Sequence, residues 1–145
     1  MKLVPLFEMT YKYTESVRIG PIKGEQGADF LTWALREGTV TGERISRVHK
    51  AFNNPRRRTD NVMVPDARGV ITTDDGESIF YELHGYGIDL QGVRHVTATI
   101  VYRTASEKYG WLNTAISVSE GRYHTDDDGR PVGVFRVYEC VTEVD

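Results

Sequence analysis

Cys140 is the only cysteine in the chain, so no intrachain disulfide can form. A single thiol also excludes a Cys-rich metal site, and a chain in which nothing must be stapled fits a cytoplasmic setting. Charge of one sign is lacking too. Eighteen Lys and Arg stand against 21 Asp and Glu, a net charge of −3, with no overall pull toward nucleic acid. No apolar run approaches the roughly 20 residues of a membrane span. The opening Met1-Lys2-Leu3-Val4-Pro5-Leu6-Phe7-Glu8 meets an acid before a signal-peptide core accumulates. Neither a membrane nor nucleic acid is therefore an expected partner. Gly85-Tyr86-Gly87 lacks the spacing and the following helix of a dinucleotide fingerprint. A P-loop and a Gly-x-Ser-x-Gly elbow are missing as well, which removes support from nicotinamide oxidoreduction, phosphoryl transfer and standard serine hydrolysis. No cofactor is expected, and the isolated His49, His95 and His124 have no spacing that specifies a metal site.

What the sequence has is alternation. At 145 residues, with 39% hydrophobic and 27% charged, it has the length and balance of one globular domain, taken as residues 1–145. The run holding Tyr11, Tyr13, Val17 and Ile19 reads as a strand closed by Gly20-Pro21 and Lys23-Gly24. Ile79, Tyr81 and Leu83 share one face of a strand fed by the turn Asp74-Asp75-Gly76, with Phe80, Glu82 and His84 opposite. Val96, Ala98, Ile100 and Tyr102 alternate along the longest clear strand. Trp111 to Ser119 and Val132 to Glu139 follow as strands, the second after the polar turn at Asp126 to Pro131. Ala28 to Glu37 fits either a short helix or a strand with Leu31, Trp33 and Leu35 on one face. Phe52 to Asn61, with Arg56-Arg57-Arg58, reads as a long solvated loop. So many strands in so short a chain require two packed sheets or one sheet closed on itself, and the hairpin spacing favours closure. The expected fold is all-β: a single-domain antiparallel β-barrel with mostly hairpin connections and an interior able to hold a small molecule.

The order of Pro65-Asp66-Ala67-Arg68-Gly69, Thr72-Thr73-Asp74-Asp75-Gly76, Ile79-Phe80-Tyr81, Gly85-Tyr86-Gly87, Tyr102-Arg103-Thr104, Tyr109-Gly110-Trp111-Leu112-Asn113 and Val134 to Glu139 resembles the DUF3237 (UPF0311) family. The resemblance spans Val17 to Tyr138 and implies a small antiparallel β-barrel whose roles are mostly unassigned. It also implies a strand for Phe30 to Leu35, because Gly38-Thr39-Val40-Thr41-Gly42 is similar to the family's early hairpin. Where the family often carries a glycine-rich segment ending in Ala-Asp-Trp, this chain has Asn53 to Asn61, in which Asp60 matches the acid.

Candidate catalytic residues are Asp60, Asp66, Arg68 and His84. Asp66 and Arg68, two apart, face one side of an extended segment. In a pocket they would anchor or protonate a polar group; on a surface they are a salt-bridged pair. His84 is placed to meet Asp60 or Asp66 across a barrel mouth, as an acid–base group or as an exposed edge residue. Candidate ligand-binding residues are Tyr102, Arg103, Tyr109, Trp111 and Asn113, in which rings form a wall and a phenol or carboxamide orients a carbonyl. Arg103 should point away from Tyr102 unless a bulge intervenes. Cys140 reads as a buried structural thiol. The expected function is binding of a partly aromatic or carbonyl-bearing metabolite, in a setting such as secondary metabolism. Two alternatives stay open: a cofactor-independent cyclase, isomerase or lyase using Asp/His proton transfer with Arg68 stabilising negative charge, and a structural or protein-interaction barrel. A homodimer is a further expectation.

Overall fold

The computed structural model describes residues 1–24 and 27–145, and side chains outside 25–28. Alternating apolar residues produce ten strands: β1 (Lys2–Gly24), β2 (Gly27–Thr41), β3 (Arg47–Asn53), β4 (Arg56–Arg57), β5 (Met63–Val64), β6 (Asp66–Thr73), β7 (Ser78–Leu90), β8 (Val93–Arg103), β9 (Ile116–Thr125) and β10 (Pro131–Val141). Eight of them pair antiparallel in the cycle β1-β2-β3-β6-β7-β8-β9-β10, and β10 returns to β1. Closure satisfies the backbone groups that an open edge would expose. The two-residue strands β4 and β5 form a bridge from β2 to β7, outside the cycle. The sheet is therefore a closed up-and-down barrel, and its hairpins fall alternately at the two ends.

One end is filled. Ile45 from the β2–β3 turn, Tyr109 and Leu112 from the β8–β9 connection, and Leu6, Phe7, Ile79 and Ile100 from the wall are all buried in one apolar cluster. The β8–β9 connection contains a 3-10 turn, Gly110–Thr114, so the strand expected from Trp111 begins only at Ile116. Trp111 and Asn113 accordingly do not share a strand face. Tyr109 donates to Asp75 Oδ1 at 3.0 Å and Lys108 pairs with Asp75 Oδ2 at 2.7 Å, which fastens this connection to the β6–β7 turn.

Further sequence expectations change in part. Gly20-Pro21 is a register shift inside β1, between Ile19 and Ile22, and the strand runs on to the expected close at Lys23-Gly24; residues 25–26 lie outside the described residues. The segment after Phe52 is not all loop, because Arg56 and Arg57 pair with Leu31 and Phe30. Ala28 to Glu37, by contrast, is strand as the resemblance implies, with Leu31, Trp33 and Leu35 on one face; that face is the half-exposed outer one, and the buried side of the C-terminal half carries Ala34 and Arg36. Cys140 is half-buried.

Gly38, paired with Tyr11, is where β1 and β2 approach most tightly: a Cβ there would lie 1.8 Å from the Thr10 carbonyl oxygen. No rotamer change relieves contact with backbone. Gly38→Ala is expected to lower unfolding stability by about 3 kcal/mol. Equilibrium denaturation checks this, and an unchanged midpoint would contradict the close β1–β2 approach.

Candidate functional site

The other end of the barrel is open. A cavity of about 690 Å³ lies among Tyr11 and Tyr13 of β1, Tyr123 of β9, Phe135 of β10, Met63 of β5 and Val96 of β8. Asn53 at the end of β3, Pro55 and Pro65 from the β3–β6 connection, and Asp89 and Arg94 from the β7–β8 hairpin form its rim. Tyr11 stacks on Phe135 with centroids 5.2 Å apart, and Tyr13 stacks on Tyr123 at 6.4 Å. Gly133 makes room for the first pair, since a Cβ there would fall 2.7 Å from the Phe135 ring and 2.9 Å from that of Tyr11. Volume and aromatic walls match a small-molecule site.

The polar groups form one connected set. Asn53 Nδ2 donates to the Tyr13 hydroxyl at 3.2 Å, and its Oδ1 accepts from the Asp66 backbone N–H at 3.1 Å. Tyr13 and Tyr123 hydroxyls lie 3.1 Å apart, and those of Tyr123 and Tyr11 lie 2.5 Å apart. Beneath them Arg36, 2% exposed, sets its guanidinium 4.0 Å from the centre of the Tyr11 ring. Its Nε and Nη2 are buried without a hydrogen-bond partner. Burial opposes the charge and coulombic interaction with Tyr11, Tyr81, Tyr123 and Tyr13 favours it; the net direction is upward, and the guanidinium is protonated. Burial pushes Tyr11 and Tyr123 well above the ordinary phenol range, against the pull of Arg36, so these phenols are neutral donors near neutral pH.

His49 completes the floor. Its Nε2–H donates to the Thr10 carbonyl at 2.8 Å, and Nδ1 accepts from the Tyr81 hydroxyl at 2.9 Å. Burial lowers its pKa to about 4, with the Arg36 charge acting the same way and the Thr10 carbonyl opposing.

The candidate catalytic residues lie elsewhere. Asp66 and Arg68 do share a side, but it is the outer wall, because Ala67 and Gly69 occupy the inner one. His84, opposite Asp66 in the β6–β7 register, has Nδ1 3.6 Å from Asp66 Oδ1. Asp66 and His84 line a shallower outer groove of about 560 Å³ with Tyr86 and Thr97. Arg68 donates to Glu82 at 3.1 Å, and Arg103 reaches the same carboxylate at 3.2 Å. Asp60 is exposed in the β4–β5 connection and pairs with Arg58. The structure thus brings Asp66, Arg68 and His84 together and leaves Asp60 apart.

The candidate ligand residues belong to the filled end. Tyr102 is buried and donates to Ser117 Oγ at 2.9 Å. Trp111 lies under the Arg44 guanidinium, 3.7 Å from its ring centre. Asn113 brackets Thr104, accepting from its N–H at 2.8 Å and donating to its carbonyl at 3.0 Å. Arg103 points away from Tyr102, as the strand parity requires. Sequence reasoning passed over Arg36, Asn53 and Tyr123. The readable signal was parity: Ala34, Arg36, Gly38 and Val40 set one charge on an otherwise small, apolar inner face.

The DUF3237 family model, described as a protein of unknown function, matches residues 1–140. No curated protein matches the chain. A Clostridium acetobutylicum protein of unknown function is 20% identical, with a TM-score of 0.79 over 97% of this chain and 100% of its own. A β-barrel-like protein from Acinetobacter baumannii is 18% identical, with a TM-score of 0.76 over 95% of this chain and 94% of its own. An enzyme from Penicillium herquei is 16% identical, with a TM-score of 0.55 over 94% of this chain and 98% of its own. These likenesses establish the fold.

His49 carries a pH prediction. Its folded pKa of about 4 lies below the unfolded value near 6.5, so the unfolded chain binds the extra proton as pH falls between them. Its contribution is complete above the unfolded pKa. Between pH 7 and pH 4.5 the wild type should lose about 2 to 3 kcal/mol more stability than His49→Gln. Denaturant titrations at both pH values check this; parallel losses would mean that His49 is not held neutral.

Proposed function

The chain belongs to the DUF3237 family, and we propose that its barrel binds a partly aromatic or carbonyl-bearing small molecule in the open-end cavity. The observation that carries this reading is the cavity itself: about 690 Å³, walled by Tyr11, Tyr13, Tyr123 and Phe135, with phenol hydroxyls among the rings. Flat apolar walls take up an aromatic body, and a few oriented polar groups fix the position of its oxygen. The lone cysteine supports a cytoplasmic setting. A second reading makes the same cavity a cofactor-independent cyclase, isomerase or lyase. It is favoured by the linked hydroxyls of Tyr11, Tyr123 and Tyr13, which offer a path for a proton. In that reading proton transfer falls to these phenols, because Asp66, Arg68 and His84 face the outer wall.

Hydroxyaryl ketones, with 2-hydroxyacetophenone as the first probe, test the binding reading by calorimetry. Met63→Arg, which places a long charged chain in the mouth, should weaken binding at least about tenfold, whereas Asp66→Asn and His84→Gln should leave it within about twofold. Matched thermal unfolding keeps folding separate from affinity. Binding that survives Met63→Arg and is lost in Asp66→Asn would move the site to the outer groove.

A further inference from the structure

Three hydroxyl hydrogens belong to Tyr11, Tyr13 and Tyr123, but only two contacts join their oxygens. Each contact uses one hydrogen. Asn53 donates to Tyr13 and so consumes none of the three. One phenol hydrogen is therefore left over, and no other side chain or backbone acceptor takes it among the described residues. The cluster presents a single net donor beside the cavity.

Charge is unbalanced at the same place. Arg36 makes no ion pair with a carboxylate among the described residues, and its buried Nε and Nη2 lack acceptors. The Tyr11 ring face offsets part of the desolvation, but a quadrupole is not a counter-charge. His49 donates to the Thr10 carbonyl and accepts from Tyr81, so it supplies no anion. At the rim, Asp89 is already engaged by Arg94, with contacts of 2.9 and 3.2 Å. The interior of this end thus holds, among the described residues, one buried cation without an anionic partner.

We propose that the cavity takes its ligand as a single-oxygen anion, a phenolate or enolate attached to a flat ring system, received by the Tyr11–Tyr123–Tyr13 cluster and balanced by Arg36. One free donor suits one oxygen better than the two of a carboxylate. The stacked rings beside it accept a planar, delocalised body rather than a compact inorganic ion. Arg36 acts here as a positioning residue: it lies behind the Tyr11 ring and favours negative charge on the far side of the phenols. This inference rests on the binding reading above and adds the ionisation state of the ligand.

The probe is 4-nitrophenol, whose phenolate has its own absorption band, with 4-nitroanisole as a neutral analogue of similar shape. In the wild type the bound phenol should ionise with an apparent pKa about one unit below its value in buffer, a tenfold preference for the anion. Arg36→Met should abolish that shift and Arg36→Lys should restore part of it. Tyr11→Phe/Tyr13→Phe/Tyr123→Phe, which removes every hydroxyl of the cluster, should weaken phenolate binding about tenfold while 4-nitroanisole binding is kept. If Arg36→Met does not fold, the wild-type titration and the triple phenylalanine variant decide the question. Equal binding of both probes with an unshifted pKa would overturn the anion proposal and leave the binding reading standing. Failure of both probes to bind at millimolar concentration would overturn both.

Discussion

Strand β1 is hydrogen-bonded along both edges, to β10 from Lys2 to Lys12 and to β2 from Glu8 to Gly24, and the rest of the molecule depends on that double pairing. It joins the ends of the meander and turns an eight-strand sheet into a cylinder. Once the cylinder exists, every second residue of every strand must share one interior, so side-chain size becomes a collective constraint. Gly38, Gly121 and Gly133 meet it where neighbouring backbone or rings come too close for a Cβ. The same constraint separates the two ends. Turns that fold inward, bringing Ile45, Tyr109 and Leu112 with them, fill one end, while the rim at the other end leaves a space above Tyr11 and Phe135.

A buried arginine is an unusual filling for such an interior. An aliphatic residue in place of Arg36 would avoid the desolvation cost of several kcal/mol that an unpaired buried charge carries. The protein sets the guanidinium against the face of Tyr11 and surrounds it with phenol oxygens that remain protonated. This arrangement keeps the charge while leaving it only partly compensated. The hydrogen-bonded set above it runs from Tyr11 through Tyr123 and Tyr13 to Asn53, and Asn53 holds the backbone of Asp66. That last contact ties the orientation of the Tyr13 hydroxyl to the start of β6. A change at the connection between β3 and β6 would therefore be felt at the cavity floor, even though β4 and β5 lie outside the barrel cycle.

The strands and their closure were legible because period-two alternation survives in nearly every segment. Val96, Ala98, Ile100 and Tyr102 read as one face in the sequence and are one buried face in the barrel. What alternation does not reveal is which end of a barrel a residue occupies. Tyr102, Tyr109 and Trp111 have the chemistry of a ligand wall but sit at or near the filled end. Tyr11, Tyr13 and Tyr123, of the same chemistry, surround the open space. The difference arises from the long-range register, with Tyr11 held against Gly38 on one side and Gly133 on the other. Polarity also misleads about which side is inner. Around Arg36 the more apolar face of β2, with Leu31, Trp33 and Leu35, is the outer one, because Trp33 packs against Phe52 there. The 3-10 turn at Trp111 was hidden for another reason: its residues have strand-like composition, but the bracket of Asn113 around Thr104 reverses the chain before Ile116.

Asp66 and His84 show why a recognisable acid–base pair is weaker ground for a site than the tyrosine cluster. Their side chains are 41% and 53% exposed, and Arg68 and Arg103 beside them are occupied by Glu82. Water screens such charges, and exposed pairs of this kind contribute at most about 1 kcal/mol. A reacting oxygen in the outer groove would meet charged groups already paired with one another, although Asp66 Oδ1 is itself buried and makes no hydrogen bond. At the cavity floor the opposite holds: the cation is buried, its neighbours are neutral, and one hydroxyl hydrogen is unspent. The same unit of charge acts more strongly where the surroundings do not reorganise around it. Under the proposed binding reading, electrostatic work on a ligand would therefore be concentrated at the open end, under the aromatic walls, whereas the outer ion pairs join strands of the β6–β7–β8 surface.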